Sequence, residues 1–531
     1  MKRIGIVDMG SGTARLVVYE FKTGKWFRLT DEIRESVRLG EGFAASGKLS
    51  EVASERGLGA IKLYLDFAKA TNLGKLTVIA TSAIREAANG KDFLEKLEGF
   101  PLEFRVLSGS QEAEYGVLAV ANSFQTTNAW VMDLGGGSAQ ISRLEARLFA
   151  GGQAFPLGYV RLTEQFLHSK HTSDTEVRQL EKYVRQHLET TFEKIRRDPA
   201  PLIAMGGTIR NLARAVQKRE DYPFDALHGY ELKREALEQL ILELLRLPSD
   251  QRSSIAGIHQ DRADAILAGA LVYRTVLREC GLKSLTISGQ GVREGAFYRE
   301  FLPNPPHLLP EVRVFSVQNL FAHYKQDLQH TNHVRSLSRK LFAALQPLHG
   351  YNANDALLLD AAAYLHDIGM AVSYHDHHKH GAYLVLNTQM PGLTHREQVL
   401  LALLVQYHRK GDPKLGSFKR LLESEDELRL LRLSACLRLA EYLERSRSGR
   451  VRDLDVSIQK EQIIIRLSAL ETPRVELWEA SKQGELFFRA YGRELVLAAD
   501  ELKRSTGTRD ELRIGTQDKL RTTEGGKTKR K

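Results

Sequence analysis

The chain is poor in cysteine. Its 531 residues include two, Cys280 and Cys436, too far apart in sequence to suggest a disulfide framework or a zinc ribbon. That usage fits a reducing, cytoplasmic compartment. Long apolar runs are missing too, and none approaches the ~18–20 residues that a membrane span needs. The opening "MKRIGIVDMG" is not expected to be a signal peptide, because Asp8 and the glycines interrupt any apolar core. Nor is there a large excess of one charge. The formal net charge of +10 is modest, and much of it is local: from Glu501 onward, ten Lys and Arg stand against five Asp and Glu. "TTEGGKTKRK" at the C-terminal end has no apolar residue and is expected to be part of a disordered basic tail over 507–531. At roughly 100–200 residues per domain, the length implies about three to four domains.

What the chain does contain is glycine at telling places. "VDMGSGTARL" and "MDLGGGSAQI" share one skeleton: Asp8, Gly10, Gly12, Thr13 and Ala14 fall on Asp133, Gly135, Gly137, Ser138 and Ala139. Each copy follows a strand-like apolar run. Around them, "KLTVIATSAIREA", "LEFRVLSGSQEAEYGVLAVANSF", "PLIAMGGTIRNLARAV" and "SLTISGQGVREGAFYREF" read as strand, turn, helix, which implies α/β layers. Such turns sit where open α/β sheets hold ligands. A phosphate needs converging N–H donors at close range, and glycine lets the backbone approach. The candidate phosphate contacts in the two matched turns are Gly10, Ser11, Gly12 and Thr13, and Gly135, Gly136, Gly137 and Ser138. Gly206, Gly207 and Thr208 form a third such turn. Asp8 and Asp133, just before the first two, suit a divalent cation. Duplication of this unit predicts two halves, 1–125 and 126–302, with phosphates held in the cleft between them.

Past a proline-rich linker, "LPNPPHLLPEV", apolar residues recur at helical spacing and a helical domain over 311–450 is expected. The alternation from Val451 predicts a small α/β domain over 451–506. Histidines gather in the helical region, in "HTNHVRSLSRKL", "LHDIGMAVSYHDHHKH" and "QYHRK".

The paired halves resemble the actin and sugar-kinase superfamily, whose halves have ribonuclease H-like folds. Within it, "TSAIREAANG", "LSGSQEAEYG", "DLGGGS", "LGYVRLTEQF", "MGGTIRNLAR" and "SGQGVREG", in that order, resemble the exopolyphosphatase and guanosine pentaphosphate phosphatase family. The resemblance implies hydrolysis of a terminal phosphoanhydride with Mg2+ or Mn2+. It places the catalytic carboxylate at Glu112, puts Arg15 and Arg85 among the phosphate contacts, and aligns Arg161 and Arg293 with motif positions that we read as structural. Glu114 is expected to point to another helix face. The helical region resembles HD-type domains. That likeness implies a possible second divalent-metal site at His333, His366, Asp367, His380, His408 and Glu441, while the run His375, His377, His378 reads as an exposed loop.

Two departures stand out. The family's first turn usually carries an amide where Gly12 stands, and its second usually carries Glu where Gln140 stands. The reading that follows is an exopolyphosphatase acting on inorganic polyphosphate, with basic residues beyond the cleft forming a channel for the polymer. The alternatives are a guanosine pentaphosphate 5'-phosphohydrolase or a nonhydrolytic polyphosphate or alarmone sensor. A homodimer is expected, and neither membrane nor nucleic acid is an expected partner.

Overall fold

In a computed structural model of the protein the described residues are 1–324, 327–469 and 471–501. The tail expected over 507–531 lies outside them. The described chain divides into two compact units. The first takes 1–324 and 386–398, and the second takes the rest. Residues 311–324 and 386–398, expected in the helical domain, thus belong to the first unit.

The first unit contains two sheets. One is built from β1 (Lys2–Met9), β2 (Thr13–Lys22), β3 (Trp26–Ser36), β4 (Lys75–Ala80) and β5 (Glu103–Val106), in the order β3-β2-β1-β4-β5. The other holds β6 (Ala129–Leu134), β7 (Ala139–Glu145), β8 (Leu148–Phe155), β9 (Leu202–Met205), β10 (Glu231–Lys233) and β11 (Ser284–Ile287), in the order β10-β11-β9-β6-β7-β8. Reading the second sheet from its other edge gives β8-β7-β6-β9-β11, the same path as the first, with β10 added antiparallel beyond β11. In both sheets a three-stranded antiparallel meander is extended by parallel strands. The duplication read from the Gly turns is therefore a duplication of topology.

The inner strands are buried along most of their length, as in "RIGIVDM", where Ile4, Ile6, Val7 and Met9 are in the core. Such continuous apolar runs are what a sheet covered on both faces requires. The third meander strand was not legible in the sequence. β3, "WFRLTDEIRES", is largely polar and has no fully buried residue, as suits an edge strand.

The halves do not divide cleanly at 125. Helix Gly109–Ala121 comes from the first half, but its Val117, Val120 and Ala121 pack with Val131, Leu144 and Ile203 of the second sheet. Helix Val292–Phe301 comes from the second half, and its Phe297, Tyr298 and Phe301 complete the core of Ile4, Ile6, Tyr19 and Phe21. The two helices touch closely, and a Cβ on Gly295 would collide with the Tyr115 carbonyl. Each half thus lends a helix to the other, which ties the two walls of the cleft together.

The second unit is mainly helical. It contains helices Leu328–Ala344, Ala353–Leu365 and Asp426–Tyr442, followed by a sheet of β12 (Val451–Ile458), β13 (Gln462–Ala469) and β14 (Glu494–Glu501). β12 runs antiparallel to β13, and β14 parallel to it. The crossover carries helices Arg474–Ser481 and Gly484–Tyr491, as a parallel connection requires. No described helix is long and apolar enough to cross a membrane.

Candidate active site

The strand order brings Asp8, near the end of β1, and Asp133, near the end of β6, to one cleft of ≈ 220 Å³ in the first unit. Gly10, Gly12 and Thr13 line it beside Asp8; Gly135, Gly206 and Gly207 line it beside Asp133. The turns are held alike. Gly10 N–H donates to the Thr13 carbonyl, and Gly135 N–H to that of Ser138. The Ser11 carbonyl accepts from Gly40 N–H, and that of Gly136 from Val160 N–H. With these carbonyls engaged, what the turns can present to a phosphate is N–H. Gly206 has φ 99 and stands so close that a Cβ there would lie 2.8 Å from Asp133 Oδ1. Both the backbone conformation and the space require glycine.

Some predicted phosphate contacts lie elsewhere. Ser11, Gly136 and Gly137 meet at the seam between the two turns: Ser11 Oγ is 3.2 Å from Ser82 Oγ, and a Cβ on Gly136 would be 3.0 Å from Ser11 Cβ. Here the missing side chains let the turns pack on each other. Ser138 is buried and accepts from Gln140 Nε2 at 2.9 Å. Thr208 is buried against Gly269. None of these five lines the cleft.

Glu112 does line it. Ser108 and Gln111 form a capping box that starts its helix, and this sets Glu112 in the first turn. Glu112 is 8% exposed. Burial pushes its carboxyl up to about 8; the Arg85 charge and hydrogen bond oppose this, and Asp133 and Asp8 add to it. Burial likewise raises Asp8, and raises Asp133 to about 6. Arg85 is not in the cleft lining. Its Nη1 donates to Glu112 Oε2 at 3.0 Å and to the Leu107 carbonyl at 2.8 Å, so it holds the carboxylate. Glu114 faces away and pairs with Arg299.

Five guanidinium groups line the same cleft: Arg15, Arg34, Arg210, Arg262 and Arg293. Arg15 pairs with Glu32 at 2.7 Å, and Arg34 with Asp261 at 3.4 Å. Arg210 Nη1 donates to the Gly289 carbonyl; burial lowers its pKa to about 10, still charged at neutral pH. Arg262 Nη1 donates to Tyr159 Oη at 3.1 Å. Arg210 and Arg293 were within reach of sequence reasoning, since each begins a helix after a Gly-containing turn. Arg34 and Arg262 belong to no quoted motif, and only the fold brings them in. Arg293, read as structural, is a cleft residue, whereas Arg161 pairs with Glu86 at 2.7 Å.

Gln140 is the register partner of Asp133, as Arg15 is of Asp8. The two sites therefore differ at equivalent positions: the second carries a neutral amide where the first carries a guanidinium. Two half-buried carboxylates with raised affinity for protons, lining one cleft from duplicated turns, form a donor set that fits a hard divalent cation.

In the second unit, His366, Asp367, His408 and Glu441 converge as expected, but the other two histidines are not those chosen. His330 and His377 join the cluster. His333 instead has Nε2 on the Val451 carbonyl at 2.7 Å and 3.4 Å from Glu444. His380, three residues beyond His377, is only partly buried and lies outside the cluster. The physical reason is helix phase: a three-residue step rotates a side chain by most of a turn but not all of it. The run read as an exposed loop is a correction too, since His377 and His378 are each 4% exposed and open helix His377–Asn387.

A family model described as the Ppx/GppA phosphatase family matches residues 17–303, and one described as Ppx/GppA phosphatase, domain III, matches 312–477. Among solved structures, an exopolyphosphatase from Cytophaga hutchinsonii is 23% identical, with 56% of this chain and 98% of that one covered at a TM-score of 0.53, and shares the fold. The Aquifex aeolicus member of the Ppx/GppA protein family is 28% identical over 56% of this chain and 97% of its own, at a TM-score of 0.49. The chain belongs to the Ppx/GppA phosphatase family.

Proposed function

We propose that the first unit is an exopolyphosphatase that removes the terminal phosphate of inorganic polyphosphate. The observation that carries this reading is the cleft itself: five arginines, three carboxylates and two duplicated Gly turns lining one cavity. A chain of phosphates presents regularly spaced negative oxygens, and arginine matches them bidentately. Of the residues lining the cleft, Tyr159 is the one aromatic, and it is already engaged by Arg262, so a nucleobase has little to stack on.

In this reading the turn N–H groups and the guanidiniums of Arg210 and Arg293 orient the terminal phosphate. Glu112, held by Arg85, takes a proton from the attacking water as the anhydride P–O bond breaks, and the shortened chain leaves with its oxygen. A base with a pKa near the working pH suits that task. Asp8 and Asp133 would hold Mg2+, which supplies charge neutralisation of the phosphates.

Phosphate release by the purified protein with Mg2+, on long-chain polyphosphate and on guanosine pentaphosphate in parallel, tests the proposal. Faster release from polyphosphate supports it. Preferential release from the nucleotide replaces it with the 5'-phosphohydrolase reading.

A further inference from the structure

Tyr159 links the three Gly turns of the cleft. It follows Gly158 in "LGYVRLTEQF" and opens helix Tyr159–Phe166. It is 8% exposed and lines the cleft. Its backbone N–H donates to the Gly135 carbonyl of the second turn at 3.0 Å. Its hydroxyl reaches the first turn, where a Cβ on Gly12 would lie 3.0 Å from Oη. The same oxygen accepts from Arg262 Nη1 at 3.1 Å. Arg262 in turn lies so close to Gly207 of the third turn that a Cβ there would meet its guanidinium.

The duplicated turn repeats the device with a different outcome. Gly137 matches Gly12, and a Cβ on it would lie 2.6 Å from Ser82 Oγ. There the hydroxyl is engaged in the seam, 3.2 Å from Ser11 Oγ, and lies outside the cleft lining. In the first turn the hydroxyl belongs to a cleft residue. A guanidinium only donates, so Tyr159 Oη accepts from Arg262 and its own proton is free for another partner. Among the described residues no acceptor is hydrogen-bonded to it. A hydroxyl proton left without an acceptor at a nearly buried residue is unfavourable. Donation from Arg262 draws charge off the oxygen and strengthens the O–H as a donor.

Tyr159 also lines a neighbouring pocket of ≈ 240 Å³. Charge decides on which side an anion sits. Five guanidiniums and three carboxyls line the cleft. Three guanidiniums line the neighbour, against the four carboxyls of Glu41, Glu164, Asp261 and Asp264. Phosphates therefore collect on the cleft side of the ring. Gly12 keeps a φ outside the left-handed region, so space and not backbone conformation keeps a side chain out of that position.

We propose that Tyr159 is a further phosphate-binding residue of the cleft: its O–H donates to a phosphate oxygen of the substrate and does the work of the side chain that Gly12 lacks. A hydroxyl donating to an anionic oxygen makes a short, charge-assisted hydrogen bond. Arg262 fixes the phenol, and Gly12 leaves the room for it. The inference rests on the reading of the cleft as a polyphosphate site.

The test measures binding of inorganic tripolyphosphate with Mg2+ by calorimetry on the full chain, in a Glu112→Gln parent so that the probe is not consumed. Tyr159→Phe removes one oxygen and should weaken binding by about 10-fold or more, as for the loss of a hydrogen bond to a charged group. It also removes the Arg262 contact, so a second comparison separates binding from support. Gly12→Asn brings a Cβ against Tyr159 Oη and should weaken binding too. Combined with Tyr159→Phe, the asparagine gains that oxygen's space and its amide N–H replaces the lost donor. The double variant should bind more tightly than either single one, whereas a purely supporting tyrosine gives losses that add. Should Gly12→Asn fail to fold by thermal melting, Gly12→Ser offers a smaller donor for the same comparison. Tyr159→Phe binding as tightly as its parent overturns the proposal, and so does a double variant with the full sum of the two losses. A parent that binds no tripolyphosphate overturns both the proposal and the polyphosphate reading. Absence of phosphate release from polyphosphate by the wild type overturns that reading alone, while the tripolyphosphate comparison still decides Tyr159.

Discussion

Replacing Arg85 by leucine separates two roles that the sequence could not separate. As a phosphate contact, Arg85 would add to substrate binding, and its loss would raise KM. The structure instead directs its Nη1 to Glu112 Oε2 at 3.0 Å and to the Leu107 carbonyl. A hydrogen bond to a charged group in such a place is worth about 1.5–3 kcal/mol. At 1.36 kcal/mol per pKa unit, its loss should raise the Glu112 pKa by about 1–2 units. Burial already sets that pKa at about 8. The base acts only when ionised, so activity falls as pH drops through its pKa. In Arg85→Leu the acidic limb of kcat/KM should therefore move to higher pH. At pH 7 the rate should drop by about 10–100-fold, while most of it returns on the alkaline plateau. The assay is phosphate release from polyphosphate between pH 6 and 10 at saturating Mg2+. An unmoved limb with a raised KM would refute the reasoning and return Arg85 to the phosphates.

Gln140→Glu places a carboxylate beside Asp133, its register partner, so half-maximal activity should need less Mg2+; a superimposable Mg2+ titration would show that this position does not reach the cation. Gly206→Ala forces a side chain into φ 99 and against Asp133 Oδ1, and should lower kcat by about 10-fold or more with a lower melting temperature; full activity would mean that the third turn has room to relax. His228 and His395 are buried as neutral rings, and burial holds each at about 4 against an ordinary 6.5. The unfolded chain takes up these protons first, so the stability is complete above pH 6.5 and is lost as pH falls toward 4, by up to about 3 kcal/mol for each ring. His228→Gln should flatten the fall in melting temperature across that window, and an unchanged slope would contradict the assignment.

The duplicated halves were legible because their signal is local. An Asp near the end of each first strand is followed by two spaced glycines and a hydroxyl, and the sheet order repeats behind them. β3 was hidden because an edge strand needs no apolar alternation, and its residues are mostly polar. The exchange of helices Gly109–Ala121 and Val292–Phe301 was hidden because amphipathic spacing tells which face is buried and not which sheet buries it. The same limit applies to side chains. Asp8, Asp133 and Glu112 follow motif position, but Arg34 and Arg262 reach the cleft from segments without a motif, and Gly136 serves the seam rather than a phosphate. In the second unit, residue type located the cluster and helix phase decided its members. His330 and His377 point inward, while His333 and His380, three residues on, do not.

The most direct test of the account is the turnover of Glu112→Gln on long-chain polyphosphate with saturating Mg2+, beside a binding measurement on the same protein. The substitution keeps the size of the side chain and removes its basicity. The account predicts a loss of kcat of about 100-fold or more, typical for a general base, with polyphosphate still bound. A folded Glu112→Gln protein that releases phosphate at close to the wild-type rate would contradict it.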